Sequence, residues 1–100
     1  MLLMVKYELN HDQKLEAFKA FASMTAADDA ALDEAYGVRT IGQWHDTANG
    51  RGVAIFEAES AAAAHGSLLM WAGVTRVLEI TPVLDNEGAR KVINAFIATQ

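Results

Sequence analysis

Three histidines, His11, His45 and His65, are the side chains of this chain best suited to acid–base or metal chemistry. His45 follows Trp44 and precedes a turn signal, so it is the candidate for a general base or a ligand-binding donor. The alternative is a structural histidine that holds the turn or meets a second copy of the chain. His11 and His65 stand at no metal-ligand spacing, and the sequence therefore predicts neither a metal site nor a cofactor.

Large aromatic side chains are the second group that bears on a site. Tyr7, Trp44 and Trp71, together with His45, are the predicted ligand-binding residues, because aromatic walls hold a flat small molecule. Core packing is the competing interpretation of the same residues.

Charged residues on predicted strands form a further group: Lys6, Arg39, Glu57 and Glu79. If they share a face, they line a polar pocket between two sheets, with His45 among them. The alternative is a set of ion pairs at a dimer seam or on a solvated face.

Four β-type runs must position these side chains: Leu2–Leu9, Val38–Asp46, Val53–Glu59 and Val74–Val83. Helical periodicity between and after them gives the order βαββαβα, which predicts an α+β, ferredoxin-like, four-stranded antiparallel sheet. A length of 100 residues fits one domain spanning residues 1–100. Several strands are apolar on both faces, and one helix layer covers only one face. We therefore predict a homodimer, in which two sheets pair as a dimeric α+β barrel.

The helices show recognisable starts and ends. Asn10, Ser60 and Asp85 are predicted N-caps, the first with Gln13 as its capping-box partner. The segment from Thr25 to Gly37 is predicted to be a short helix, with an alanine-rich acidic loop as the alternative. The last helix has the cleanest apolar stripe and is expected to dock on its own sheet or on a partner subunit.

Asn49-Gly50 predicts a tight hairpin whose register the sequence leaves open. A two- or four-residue loop centred there places His45 beside Ala54 and on the face of Phe56. A three- or five-residue loop moves it to the face of Glu57, because a one-residue slip exchanges the faces.

Composition narrows the function classes. The formal net charge is −5, and the eight Lys and Arg residues form no run, which argues against nucleic-acid binding. The N-terminal apolar run is too short for a signal sequence, and no stretch reaches the length of a membrane span. The chain contains no cysteine, which excludes disulfides and thiolate chemistry and fits a cytoplasmic location.

Several motifs resemble a group of small bacterial proteins known as a domain of unknown function. They are Met1–Val5, Gly42-Gln43-Trp44-His45-Asp46, Gly50-Arg51-Gly52 and Glu79-Ile80-Thr81-Pro82-Val83. The resemblance covers residues 1 to about 92, with Thr25–Tyr36 longer than expected. In fold it is similar to the dimeric α+β barrels, which include antibiotic-biosynthesis monooxygenases. It implies a fold and a dimer, and it assigns no activity.

Two functions are consistent with these features. The first is a homodimeric small-molecule-binding or assembly module without catalysis. The second is a cofactor-independent oxygenase or isomerase of the antibiotic-biosynthesis-monooxygenase type, acting on an aromatic or polyketide-like compound with His45 as its base.

Overall fold

A four-stranded antiparallel sheet organises the molecule, and the computed structural model describes all residues, 1–100. The strands are β1 (Leu2–Leu9), β2 (Val38–Asp46), β3 (Arg51–Ala58) and β4 (Thr75–Pro82), in the spatial order β2-β3-β1-β4. The helices are α1 (Lys14–Ala22), α2 (Ala26–Tyr36), α3 (Ala61–Leu69) and α4 (Asn86–Ile97), and a 3-10 turn over His11–Gln13 precedes α1. This is the predicted ferredoxin-like α+β fold. None of the helices combines the length and apolar character that crossing a membrane requires.

Helix caps account for where most helices begin. Thr25 forms a reciprocal capping box with Asp28, so the segment after it is the predicted helix, and Gly37 ends it at φ 68°. Ser60 and Asp85 accept the predicted capping bonds at α3 and α4. Asn10 occupies the predicted N-cap position, before the 3-10 turn, but its side chain makes no cap bond and instead donates to the carbonyl of Gly73.

The β2–β3 hairpin has a four-residue loop, residues 47–50, and Gly50 takes a φ of 68° there. His45 pairs with Gly52, and Asp46 pairs with Arg51. His45 therefore lies on the face of Phe56, as the even-length alternative predicted, although its partner is two residues earlier than Ala54. β3 starts at Arg51, two residues before the predicted start at Val53, because the four-residue loop ends at Gly50.

The core lies between the sheet and the helices. Leu3 and Val5 of β1, Phe56 and Ala58 of β3, and Ala64 of α3 are almost fully buried. The alternate residues of each strand point to the other side of the sheet, which no helix covers. We call this side the open face. It carries Met4, Val53 and Ile55 at its centre, and all three are partly exposed.

Helix α4 extends away from this body, and the molecule measures 53 × 27 × 21 Å. Val92, Ile93, Phe96 and Ile97 form the predicted apolar stripe, and each is more than half exposed. Docking on its own sheet, one of two expectations for α4, does not occur in the single chain. The apolar stripe of α4 is therefore exposed to water.

Candidate functional site

A cavity of about 530 Å³ lies between the helix-covered face of the sheet and helices α1 to α3. Most of the side chains around it are apolar, including Phe56 on the sheet, Phe21 on α1 and Leu68 on α3. Its polar groups include Tyr7, Gln43 and His45 toward the hairpin, and Asp29, Asp33 and Thr40 along α2 and the start of β2. The cavity is therefore a mainly apolar space with a few polar groups.

Tyr7, Gly52 and His45 form one row across three strands, because Gly52 pairs with Tyr7 on one side and with His45 on the other. The outer two strands of this row are about 10 Å apart at the usual strand spacing of about 4.8 Å. Tyr7 Oη nevertheless lies 2.8 Å from His45 Nδ1, a hydrogen-bond distance. The tyrosine therefore reaches across the central strand.

Gly52 makes this reach possible. A Cβ at position 52 would collide with the Tyr7 ring and hydroxyl, which occupy the space over the glycine. Gly52 lies inside β3 and does not have a positive φ. Of the two glycines in Gly50-Arg51-Gly52, only Gly50 has the positive φ of a turn residue. Gly52 is glycine because the tyrosine side chain needs its space.

The imidazole of His45 has a further contact with α1, and Tyr7 has one with β2. The Phe21 ring centroid is 4.9 Å from that of His45, at an interplanar angle of 48°. Gln43 Nε2 lies 3.5 Å from Tyr7 Oη and extends the polar chain by one group. His45 is thus contacted by the helix residue Phe21 and the strand residue Tyr7, even though it is exposed.

The α2 wall of the cavity is attached to the edge strand β2. Asp33 accepts hydrogen bonds from the Thr40 backbone N–H at 2.8 Å and from the Thr40 hydroxyl at 3.1 Å. Each of the two carboxylate oxygens of Asp33 therefore accepts a hydrogen bond from Thr40. This pair joins α2 to β2 beside the cavity.

Trp71 lies beside the cavity with Tyr7 and His45, so three of the four predicted ligand-binding residues are brought together. Thr75 Oγ1 donates to the Trp71 carbonyl at 2.9 Å, which fixes the turn after α3. Trp44 is not among the cavity residues. It follows that the predicted grouping of Trp44 with His45 fails, because neighbouring residues of a strand point to opposite faces.

Trp44 lies instead on the open face, and its side chain is folded back over Gly42. The four strand charges share this face, as one alternative predicted: Lys6 pairs across strands with Glu79, and Arg39 pairs with Glu57. His45 is on the other side of the sheet from them. They do not contribute to its pocket.

Asp46 is the one carboxylate whose pKa is clearly displaced. The Asn49 side chain donates to it at 3.0 Å, and this bond is the main cause that lowers the pKa of Asp46. Desolvation opposes this effect and is the second largest influence on the pKa, while the Asn49 backbone N–H and the Arg51 guanidinium lower the pKa by smaller amounts. These contacts stabilise the hairpin loop next to His45.

Gly52, Phe21 and Gln43 are the site residues that sequence reasoning missed. A signal for Gly52 was present, since a glycine inside a β-run often marks close approach of another group. Nothing in the spacing of Phe21 indicates that its helix ends beside β2. No three His, Asp or Glu side chains lie close enough together to hold a metal ion.

The fold and this cavity define a small ferredoxin-like α+β domain with a ligand-sized pocket on the helix side of its sheet. The chain belongs to a family described as a domain of unknown function, DUF3303, whose model matches residues 1–97. The match includes Thr25–Tyr36, the segment expected to be unusually long, and all of α4. A comparison with curated proteins found no match.

Proposed function

We propose that this protein is a homodimeric module in which each subunit holds one small, largely apolar molecule between the sheet and helices α1 to α3. The cavity beside His45 carries this proposal. Ligand pockets usually measure about 300 to 1,000 Å³ and combine apolar walls with a few polar groups. A volume of about 530 Å³ and the Tyr7–His45 pair at one end agree with that description.

The open face supports the dimer. Its centre is apolar, with Met4 and Ile55 partly exposed and Trp44 58% exposed, while charged side chains surround it. An apolar centre with a charged rim is the usual anatomy of a protein interface. Two copies that meet through this face would cover the apolar centre of both.

The charges on this face also suit a second copy of the same chain. Basic and acidic side chains are equal in number there, although the whole chain has a formal net charge of −5. The basic ones are Lys6, Arg39, Arg51 and Arg76, and the acidic ones are Glu8, Asp46, Glu57 and Glu79. A neutral face meets its own copy without net repulsion, whereas the acidic remainder of the surface does not.

Helix α4 adds a second apolar surface that a dimer can cover. A helix of 12 residues is marginal in water unless its apolar side packs against something. Phe96 and Ile97 have no such contact within the chain, since they are 63% and 59% exposed. Docking on the partner subunit would supply it.

Binding is tested by titration with N-phenyl-1-naphthylamine, a neutral apolar fluorophore that brightens when it leaves water. We expect saturable binding of one molecule per subunit. Ala54→Phe fills the cavity floor and should remove binding, while the matched variant Ala62→Phe, on the exposed side of α3, should retain it.

Two results would overturn the binding proposal. One is an unchanged titration in a folded Ala54→Phe variant. The other is loss of the signal in Phe96→Ser alone, which would place the fluorophore on the α4 stripe. Leu68→Trp, on a different wall, provides a second filled cavity if Ala54→Phe does not fold.

Sedimentation velocity at micromolar concentration tests the assembly. The chain has a mass of 10.8 kDa, and we expect a single species with twice that mass. A monomer at that concentration contradicts the dimer but leaves the binding proposal intact, because the cavity is formed within one chain.

A cofactor-independent isomerase or oxygenase is the second candidate function, favoured by the position of His45 between Tyr7 and the cavity. A base there would remove a proton from an acidic C–H of a bound ketone. Deuterium uptake from D₂O into 2-tetralone tests this step. Exchange that is faster than the buffer rate, and that His45→Gln reduces to that rate, supports catalysis; exchange at the buffer rate in the wild type excludes it for this probe.

A further inference from the structure

We propose, on the basis of the binding function above, that the ligand is a neutral molecule with a flat apolar body and a carbonyl-type oxygen, which accepts a hydrogen bond from His45 Nε2–H. Tyr7 is a positioning residue in this proposal. It sets which nitrogen of His45 carries the proton, and it is not required to touch the ligand.

The proposed position of the His45 proton follows from taking Gln43 as the first donor of the polar chain. Gln43 Nε2 is a donor, so it uses a lone pair of Tyr7 Oη. In the proposed arrangement the phenol directs its own proton to His45 Nδ1, 2.8 Å away; the other tautomer, with Nδ1–H donating to the second lone pair of Oη, is the outcome that the spectra below distinguish. A neutral imidazole that accepts at Nδ1 carries its hydrogen on Nε2. The nitrogen left for a ligand is therefore a donor.

Charges around the cavity favour a neutral oxygen over a carboxylate or phosphate. Asp29 and Asp33 on α2 line the cavity, and Asp46 and Arg51 border it at the hairpin, where strand alternation directs their side chains toward the open face. Arg51 lies 3.6 Å from Asp46 in an exposed ion pair, so the two together add no net charge at the hairpin. An anionic ligand would meet excess negative charge, while a cation would meet the N–H of His45.

The shape of the space favours a flat apolar body next to that oxygen. Phe21 stands against His45, and Trp71 and Met70 line the same cavity from the turn after α3. Aromatic and thioether walls accept a ring by stacking and by sulfur contact. A ring of one or two cycles fits within about 530 Å³.

The binding test compares 2-acetylnaphthalene with 2-ethylnaphthalene, two probes of nearly equal shape that differ in one carbonyl oxygen. A net hydrogen bond of about 0.5–1.5 kcal/mol corresponds to an affinity ratio of roughly 2- to 13-fold in favour of the ketone. His45→Phe keeps a flat ring but removes the donor, so it should bring the ratio to one while preserving affinity for the hydrocarbon. His11→Phe, the same change outside the cavity, should keep the wild-type ratio.

The positioning role of Tyr7 has a readout that needs no ligand. Long-range ¹H–¹⁵N correlation spectra of the wild type should show His45 with its proton on Nε2. In Tyr7→Phe that preference should weaken, and the ketone-to-hydrocarbon ratio should fall toward one with the cavity still able to bind the hydrocarbon.

The remaining outcomes contradict either this inference alone or the binding function as well. Equal, saturable affinity for the two probes, or a proton on Nδ1 of His45 in the wild type, overturns the inference while leaving the binding function in place. No saturable binding of either probe overturns the binding function and this inference together.

Discussion

The two faces of the sheet each carry an aromatic side chain laid over a glycine, and they use it differently. On the helix-covered face, Tyr7 crosses Gly52 on the neighbouring strand and reaches His45. On the open face, Trp44 folds back over Gly42 of its own strand. The first arrangement joins polar groups from strands that are not neighbours, and the second makes a flat apolar surface.

The position of the glycine explains this difference. A glycine directly opposite an aromatic residue removes the side chain that would stop it from crossing to the next strand. A glycine two residues earlier on the same strand lets the ring lie along the sheet instead. The same pair of residue types therefore produces a site on one face and a surface suited to association on the other.

The largest effect should come from Ile55→Lys, which tests the role of the open face. A lysine at the apolar centre would be buried without a partner in the dimer, so we expect the dissociation constant to rise by at least about 100-fold. Sedimentation velocity across a concentration series measures it. Leu15→Lys on α1, which is 62% exposed, is the matched control and should leave the dimer unchanged. An Ile55→Lys dimer of wild-type affinity would show that this face is not the interface.

Gly52→Ala and Gly42→Ala separate the two faces directly. The added methyl group at position 52 displaces Tyr7 inside a packed face, and we expect a loss of about 1–3 kcal/mol in the free energy of unfolding. Urea unfolding measures this loss, and N-phenyl-1-naphthylamine binding should weaken with it. Gly42→Ala moves an exposed indole, so it should affect stability less and dimer affinity more. Equal effects on ligand binding would remove the distinction between the faces.

Phe96→Ser tests whether α4 serves the dimer. Phe96 is 63% exposed in the single chain, so the substitution should cost little folding stability there. If the partner covers the stripe, we expect dimer affinity to fall by about tenfold, equivalent to about 1.4 kcal/mol. Lys91→Ser, on the same helix, is the control. A dimer insensitive to Phe96→Ser would leave the open face as the sole contact.

The smallest effect concerns the hairpin loop, which both faces share. Folding lowers the pKa of Asp46 below its ordinary value of 3.8, through the Asn49 side chain first. The stability from this carboxylate is therefore present above the unfolded pKa and is lost as pH falls through the folded pKa. The urea midpoint of the wild type should exceed that of Asp46→Asn at pH 6, and the difference should shrink toward pH 3. A difference independent of pH would assign the effect to something other than ionisation. Asp12→Asn is the matched control.

Sequence patterns predicted helices and strands well where the pattern involved only residues close together along the chain. β1 and β2 have the predicted bounds, and α2 begins at the predicted Thr25 cap, because alternation and capping depend on residues close in sequence. Asn10 shows the limit of such patterns. Its side chain bonds to Gly73, a residue brought close only by the fold.

The candidate site was predictable in part. Tyr7, His45 and Trp71 line one cavity, but Trp44 faces the opposite side, which strand alternation already required of a residue next to His45. The choice of face for His45 was open, since it depended on the length of the loop after Asp46. Phe21 lies in a separate helix, and its place beside His45 depended on where α1 packs.

The sequence by itself determined the strand and helix order, the ferredoxin-like topology and the excess of apolar strand surface, because these follow from periodicity and turn chemistry along the chain. Only the tertiary structure decided which face each strand residue occupies, and it brought Tyr7 across Gly52 to His45. The physical reason is that strand pairing joins residues far apart in sequence, and a shift of one residue in that pairing reverses every side chain.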